Sequence, residues 1–420
     1  MPHSITAEFS LNTPLFSSGA DPNSPELRVS EIKAALRFWW RAMNYSLYVA
    51  DRPRFVDTES QLFGSANASQ GQGVLVSLVS DDHLSDKLCT GFVYKVFVNH
   101  PGARYLGYGL MGHTAVLKRS CIEPGGTFKI RLNWRDETAR ARVHKAATLK
   151  HVDFQAHMIQ ALKTFGTFGG LGSRSRRGYG SVTLQSLKNA DGTDWPDWTV
   201  PKDSAELKEE VTELLKVQRK AVHTVPDDIK YSAFTCLSRC TVFSLAGAAH
   251  STPYPVLNAM GSAFVRYRAW GRNGLILNGE RSNQIFQADH DWFTNPGALP
   301  ASFTHPHRIV FGLPLPYSQT DIWGGHETRR ASPLFFHIHK ASQNLYFGLM
   351  FDLRSEFLAP GTAGAPATIA VPNSTSNVPV TPDWSMLDEL HDGAIPITGS
   401  TRSRASRISL ITGMTLTKIF

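Results

Sequence analysis

The chain is poor in cysteine, has no long apolar run, and is short of acidic residues across one extended stretch. Its four cysteines (Cys89, Cys121, Cys236, Cys240) are too few and too scattered among 420 residues for a disulfide framework. Only the last two lie close together, and a lone C-x-x-x-C without a second ligand pair is not a zinc signature. No apolar run reaches the roughly 18 residues that a membrane helix needs. The N-terminus lacks the charged segment and apolar stretch of a secretory signal. Together these absences predict a reduced, cytoplasmic protein with no membrane association. No extended low-complexity tract occurs, and a composition of 42% hydrophobic and 19% charged residues is that of a globular protein. The length gives room for two or three domains, each with an ordinary core.

What is abundant is positive charge, and it is concentrated. The formal net charge is +8, yet 14 Lys/Arg face only 4 Asp/Glu between Arg104 and Arg177. A solvated surface normally intersperses acids, so this imbalance predicts a polyanionic partner, nucleic acid above all. The stretch ends in Phe165-Gly-Thr-Phe-Gly-Gly-Leu-Gly-Ser-Arg-Ser-Arg-Arg-Gly-Tyr-Gly-Ser-Val182. Gly169, Gly170, Gly172, Gly178 and Gly180 surround Arg174, Arg176 and Arg177 with no acid between them. Successive backbone N–H groups in such a turn can form an anion-binding concavity, and each guanidinium adds a planar fork suited to phosphate. A flexible solvated loop has the same composition, so the surroundings decide.

Ile5–Phe16 alternates apolar and polar residues and predicts a strand. After a loop at Ser17–Pro25, Ser30 is positioned to cap a helix running to about Leu47. Ile32, Ala35, Leu36, Trp39 and Met43 share its core face, while Lys33, Arg37 and Arg41 form a basic stripe at spacings of four. Three cations so placed repel one another unless an anion lies along them. Strands are predicted at Val74–Val79, Arg104–Gly109, Thr127–Trp134 and Ser181–Leu187, with a helix at Val152–Phe165. The resulting β-α-β-β-α-β order, with a glycine-rich loop before the last strand, is the ferredoxin-like arrangement shared by RNA-recognition folds. A charged helix (Ala205–Lys220) leads to Val225-Pro226, which divides the chain into residues 1–225 and 226–420. The second part repeats the order loosely: a strand near Phe234–Leu245, a helix near Val256–Trp270, and strands at Arg308–Leu313, Leu334–His339 and Leu345–Leu353. Leu358–Pro382 is predicted as a long surface loop. The fold class is therefore α+β, with two tandem ferredoxin-like (RRM-like) domains.

No residue set predicts catalysis. Ser30-x-x-Lys33 matches a nucleophile motif of penicillin-binding enzymes, but its companion motifs are absent and Ser30 reads as a cap. Gly107-x-Gly-x-x-Gly112 is not followed by a long helix, as a dinucleotide site requires, and no Walker A sequence occurs. His337-Ile-His339 and His305-Pro-His307 lack the carboxylate or cysteine that would complete a metal site. Asp21 could help a metal activate water, but Asp-Pro-Asn-Ser-Pro forms a turn equally well. No cofactor and no metal are expected.

Three segments together resemble a family. Thr13-Pro-Leu-Phe with the Gly19-Ala-Asp-Pro turn, Leu27-Arg-Val-Ser-Glu-Ile-Lys-Ala-Ala-Leu-Arg-Phe-Trp-Trp-Arg41, and the Phe168–Val182 loop look like the RAMP proteins of CRISPR systems. The paired tryptophans before Arg41 resemble, more narrowly, the first subunit of the type III-B (Cmr) effector module. Val310-Phe-Gly-Leu-Pro-Leu-Pro and Arg329-Arg-Ala-Ser-Pro-Leu-Phe-Phe-His-Ile-His-Lys340 resemble the same subunit. The resemblance implies two fused ferredoxin-like domains and a place in a multi-subunit ribonucleoprotein of antiviral defence. Its partners would be guide (crRNA) and target RNA and other RAMP subunits, with this chain capping the filament near the guide 3′ end. Target cleavage in such complexes belongs to a repeated backbone subunit, so this chain is expected to bind RNA without catalysis. The candidate RNA contacts are Lys33, Arg37, Arg41, the loop residues Gly169, Gly170, Gly172, Arg174, Arg176, Arg177 and Gly178, and Arg329 and Arg330 in the second half. Tyr179 offers a ring for a base to stack on. The alternative within the superfamily is an endoribonuclease acting on guide precursor or target RNA, for which Asp21, His151 and His157 are the residues to test. A third reading has the arginines meeting acidic protein partners.

Overall fold

The computed structural model describes residues 3–65, 73–81, 84, 99–110, 117–134, 152–224, 243–317, 320–358, 367–370, 377–396, 407–409 and 416–418, apart from positions 22, 272, 296, 298, 301, 325–328 and 393. Mixed α/β architecture with antiparallel sheets results from the alternation of apolar strands and amphipathic helices. The first half runs β1 (His3–Leu11), α1 (Val29–Asn44), α2 (Arg52–Phe63), β2 (Val74–Ser80), α3 (Pro101–Leu106), β3 (Thr127–Trp134), α4 (Phe154–Phe168) and β4 (Val182–Lys188). Its strands lie in the order β2-β3-β1-β4, every neighbouring pair antiparallel. Alternation places Ile5, Ala7 and Phe9 under the helices, while Thr6 and Glu8 look away. In register, Phe9 lies opposite Phe128 with rings 5.4 Å apart, and Phe165 of α4 closes on Phe9 at 5.2 Å. Truncating a ring in such a cluster costs about 3–5 kcal/mol.

A charged helix α5 (Ser204–Thr224) leads on to β5 (Phe243–His250), α6 (Pro253–Arg268), β6 (Leu334–Lys340), β7 (Tyr346–Asp352), α7 (Ser385–His391) and β8 (Leu416–Lys418). These strands lie in the order β6-β7-β5-β8, again antiparallel, so both sheets place their first, second, third and last strands in the same 2-3-1-4 arrangement. A third sheet of four short strands lies between α6 and α7 in sequence, with Leu315–Tyr317 and Thr320–Gly324 before β6 and Thr368–Ala370 and Val378–Pro379 after β7.

The two halves share their cores. Phe335 of β6, Phe347, Leu349 and Phe351 of β7, and Leu353 just after it pack with the first half, against Trp39 and Phe168 among others. In return Phe16, Ala103, Leu106 and Tyr179 pack with the second half. Polar ties cross as well: Asn12 donates to the Ile338 carbonyl at 2.8 Å, and the Ile338 amide donates to the Ser181 hydroxyl at 3.1 Å. Strands buried on both faces read as unbroken apolar runs, which accounts for Leu334-Phe-Phe and for the fully buried β7. At the α3–α6 crossing, Gly102 and Gly261 bring two backbones together; a Cβ on Gly261 would sit 2.1 Å from the Gly102 carbonyl oxygen.

Several local expectations are corrected. Residues 104–106 belong to helix α3, because Pro101 pre-sets the backbone of a first helical turn. His307–Phe311 is a 3₁₀ turn, not a strand. Helix α1 begins at Val29 with Arg28 at its N-cap, so Ser30 lies inside it. Helix α2 was not anticipated, although Asp51 caps it through the Arg54 amide with proline in the first turn. Cys121 is fully buried and disulfide-bonded, against the expectation of reduced cysteines; its partner lies outside the described residues, since spatial approach and not spacing decides pairing. The boundary at Val225-Pro226 and most of the strand near Phe234–Leu245 also lie outside the described residues. No helix among the described residues is long and apolar enough to cross a membrane.

Candidate nucleic-acid interface

The basic stripe on α1 has an anion along it, and the anion is the protein's own. Ile32, Leu36, Trp39, Trp40 and Met43 bury one face of the helix, leaving Lys33, Arg37 and Arg41 on its flank. There the nearly buried Glu59 of α2 accepts from Arg37 Nε and from Arg41 Nη2, the latter at 2.6 Å. One carboxylate thus relieves the repulsion between two of the three cations. Partial burial, and then Arg37, lower the pKa of the remaining Lys33.

The glycine-arginine loop is similarly different from an open cradle. Helix α4 ends at Phe168, and the Gly169 amide closes its last turn on the Phe165 carbonyl at 2.8 Å. Gly170 bridges to Ser181, and the Leu171 amide donates to the Gly180 carbonyl, pinching the base of the loop. At Gly172, φ is +76°, and a Cβ would meet Leu15 and the Phe16 carbonyl at 2.7 Å; only glycine fits. The Gly172 amide donates to Glu31 Oε1 and the Ser17 hydroxyl to Glu31 Oε2, each at 2.5 Å. An anion position on this loop is therefore filled by Glu31. The Gly178 carbonyl accepts from the Thr13 hydroxyl at 2.7 Å.

The three loop arginines divide. Arg174 is exposed, with an unusual left-handed φ of +66°. Arg176 turns inward, stacks 4.7 Å over Phe335 and 5.5 Å over Phe38, and donates to the Ser332 carbonyl at 2.8 Å. Arg177 lies 4.8 Å over Phe264 and 5.7 Å over Phe336, and its buried Nη1 has no hydrogen-bond partner among the described residues. Burial and then Arg330 push Arg176 down to about 10; burial and then Arg268 push Arg177 down to about 9. Both remain cationic at neutral pH. Tyr179 is corrected from its expected role: its ring is buried, and its hydroxyl donates to the Ala103 carbonyl at 2.6 Å. No face of that ring is open for a base. Arg330 donates to Ser355, whereas Arg329 is exposed and sits 5.4 Å over Trp323.

Arg174, Arg176, Arg177, Arg268 and Arg330 thus gather where the two halves meet, and none pairs with a carboxylate among the described residues. Aromatic faces offset part of their desolvation, but the positive charge is left unbalanced. Sequence reasoning missed Glu59, Glu31 and Arg268, together with the aromatic rings of Phe264, Phe335 and Phe336. The signal in the sequence was the acid-poor composition, which is silent on partners, whether 22 positions away, as Glu59 is from Arg37, or 141, as Glu31 is from Gly172.

The other candidates resolve into structural roles. Asp21 accepts from the Asn23 amide at 2.9 Å in a turn. His157, whose pKa is lowered by burial, accepts from Trp40 Nε1 at 3.1 Å, and about 18 Å of helix rise separates it from Gly169. His151 and Gly112 lie outside the described residues. His337 meets the Gly169 carbonyl at 2.9 Å, and His339 is buried beside it; burial holds the first well below the usual imidazole range and the second at about 3. His305 Nε2 accepts from the Thr381 amide at 3.2 Å. No group of three metal-ligating side chains occurs among the described residues.

This geometry can be set beside known proteins. In a curated relative, the CRISPR system Cmr subunit Cmr1-1 of Pyrococcus furiosus, 160 residues align at 29% identity, covering 38% of this chain and 41% of the relative's length. The crystal structure of Cmr1 from Pyrococcus furiosus (apo form) superposes with a TM-score of 0.54 at 18% identity, over 86% of this chain and 91% of that one, a likeness of fold. A cryo-EM structure of the type III-B Cmr-beta bound to cognate target RNA gives a TM-score of 0.48 at 12% identity, over 86% of this chain and 96% of that one. The family model of the RAMP superfamily matches from β1 through the glycine-arginine loop to the start of β4. That match spans residues 8–183, and over them this chain is similar to the RAMP superfamily.

Proposed function

We propose that the chain is an RNA-binding, non-catalytic subunit of a type III-B CRISPR effector complex, a cytoplasmic ribonucleoprotein of antiviral defence. In this reading it sits at the filament end near the guide 3′ end, touches guide and target RNA and neighbouring RAMP subunits, and helps to engage the target. Both sheets, with their shared 2-3-1-4 order, are read as ferredoxin-like units, residues 1–225 and 226–420. The observation that carries the reading is the arginine cluster, without carboxylate partners among the described residues, on a segment that matches the RAMP-superfamily model. Unbalanced buried guanidinium groups draw a polyanion to the junction. Exposed Arg174 is the direct phosphate contact; Arg176 and Arg177 supply field from behind it. Lys33, Arg37 and Arg41, with the exposed Arg329, flank the path.

The test is filter binding of single-stranded RNA over a salt series. Wild type should show an affinity that falls steeply with salt. Arg174→Ala should weaken binding to unrelated sequences alike and reduce the log–log slope by about 0.7. Little RNA affinity even at low salt would favour acidic protein partners in place of RNA. Cleavage of guide precursor or target RNA that is abolished in Asp21→Ala or His157→Ala, with binding intact, would favour the endoribonuclease.

A further inference from the structure

A cleft of about 450 Å³ opens at the α3–α6 crossing. Its size is that of a small-molecule site. One wall is apolar and comes from the second half, including Ile276 and Leu277. The other carries Arg104 and Tyr105 of α3, Tyr108 of the turn after it, and Lys118, whose amide donates to the Leu110 carbonyl of that turn. Among the described residues no Asp or Glu lines the cleft, and neither Arg104 nor Lys118 has a carboxylate partner. Arg268 Nη1 donates to the Tyr105 hydroxyl at 2.8 Å, which leaves the hydroxyl proton directed elsewhere, available to an incoming oxyanion. Arg174 forms part of the backing: its Nη2 lies 3.2 Å from where a Cβ on Gly109 would stand. The glycines at 107 and 109 thus serve the cleft, and not the dinucleotide turn that their spacing imitates.

Each wall asks for a different part of one ligand. A flat apolar slot between aliphatic side chains and tyrosine rings suits a heteroaromatic ring. Two unpaired cations and a tyrosine hydroxyl at its edge suit a phosphate. Tyr108 lines the cleft and is 73% exposed, so its ring is open to a stacking partner. We propose that this cleft binds a nucleoside monophosphate unit, its base against Tyr108 and the aliphatic wall, its phosphate on Arg104, Lys118 and the Tyr105 hydroxyl. The unit is either a free nucleotide or the terminal residue of an RNA strand. Only the second source rests on the RNA-binding reading above.

Calorimetric titration of the full chain with AMP, UMP, adenosine and inorganic phosphate, together with anisotropy titration of a short labelled oligoribonucleotide, tests the assignment. The variants are Tyr108→Ala and Lys118→Gln, both exposed positions whose substitution leaves the core untouched. Stacking on one aromatic ring changes affinity by about 5- to 150-fold, so a loss of at least fivefold is expected in Tyr108→Ala. If mononucleotides bind and the variants lose them, the cleft takes a free nucleotide. If only the oligonucleotide binds and the variants weaken it, the cleft takes a strand end. The assignment is overturned if inorganic phosphate binds as tightly as AMP, or if neither variant alters either titration. Wild type that binds AMP but no RNA would leave the cleft standing and remove the RNA-binding reading. RNA binding by wild type that both variants retain in full, with no AMP bound, would do the reverse.

Discussion

The α1 stripe and the glycine-arginine junction look alike in sequence, as triplets of cations with no acid between them, and they are built on opposite principles. On α1, Arg37 and Arg41 converge on Glu59, so their charge is answered inside the chain. At the junction, Arg176 and Arg177 rest on phenylalanine faces and a carbonyl, and no carboxylate among the described residues answers theirs. A cation–π contact tolerates a cation without neutralising it. Unspent positive potential therefore belongs to the junction, whatever the count of basic residues on the helix.

The comparison can be broken most forcefully at Glu59. Glu59→Gln should destabilise the protein by about 3 kcal/mol, because two guanidinium groups lose their shared partner. Urea denaturation measures this, and an unchanged midpoint would mean that the stripe needs no internal anion. Next comes the junction's histidine pair, which stays neutral where the arginines stay charged. The unfolded chain takes up protons below about pH 6.5, whereas folded His339 resists until about 3. Stability present above pH 6.5 is lost as pH falls through that window, about 2 kcal/mol at pH 5 for this one group. In His339→Leu the fall from pH 7 to pH 5 should be smaller by that amount, and equal falls would place His339 in contact with water.

A paired substitution sharpens the contrast further. Arg37→Met should lose about 1 kcal/mol by leaving Glu59 half answered, while Arg177→Met should gain about 1 kcal/mol by removing a desolvated charge. Losses of equal size in both would show that the two regions are built alike. The smallest effect is expected from Asp21→Ala, within about 0.5 kcal/mol, since the side chain serves one exposed turn.

Much of the first half is legible in the sequence. Apolar periodicity placed α1 and α4 and the strands that pair with β1, because those elements bury one face and expose the other. The glycine-arginine loop was located between α4 and β4 for the same reason. Where local signals compete, the reading failed. Pro101 and Gly102 open a helix where a strand was expected, and the apolar run at His307–Phe311 curls into a 3₁₀ turn. At the site, residue types were legible and their partners were not. Glu31 reaches Gly172 across 141 positions of sequence, and Tyr179 faces Ala103 across 76. Composition shows that arginines are present, and only packing shows which way they point.

The exchange of core residues between the halves also bears on how the chain is made. A ribosome releases β1 through α4 long before Phe335 and Phe351 exist, so Trp39 and Phe168 wait with their partners still untranslated. Contacts of such separation form late, and the interval leaves apolar surface open to other chains. A fragment ending at α5 should accordingly aggregate where the full chain does not. Synthesis of the second half is thus the step that makes the first half soluble.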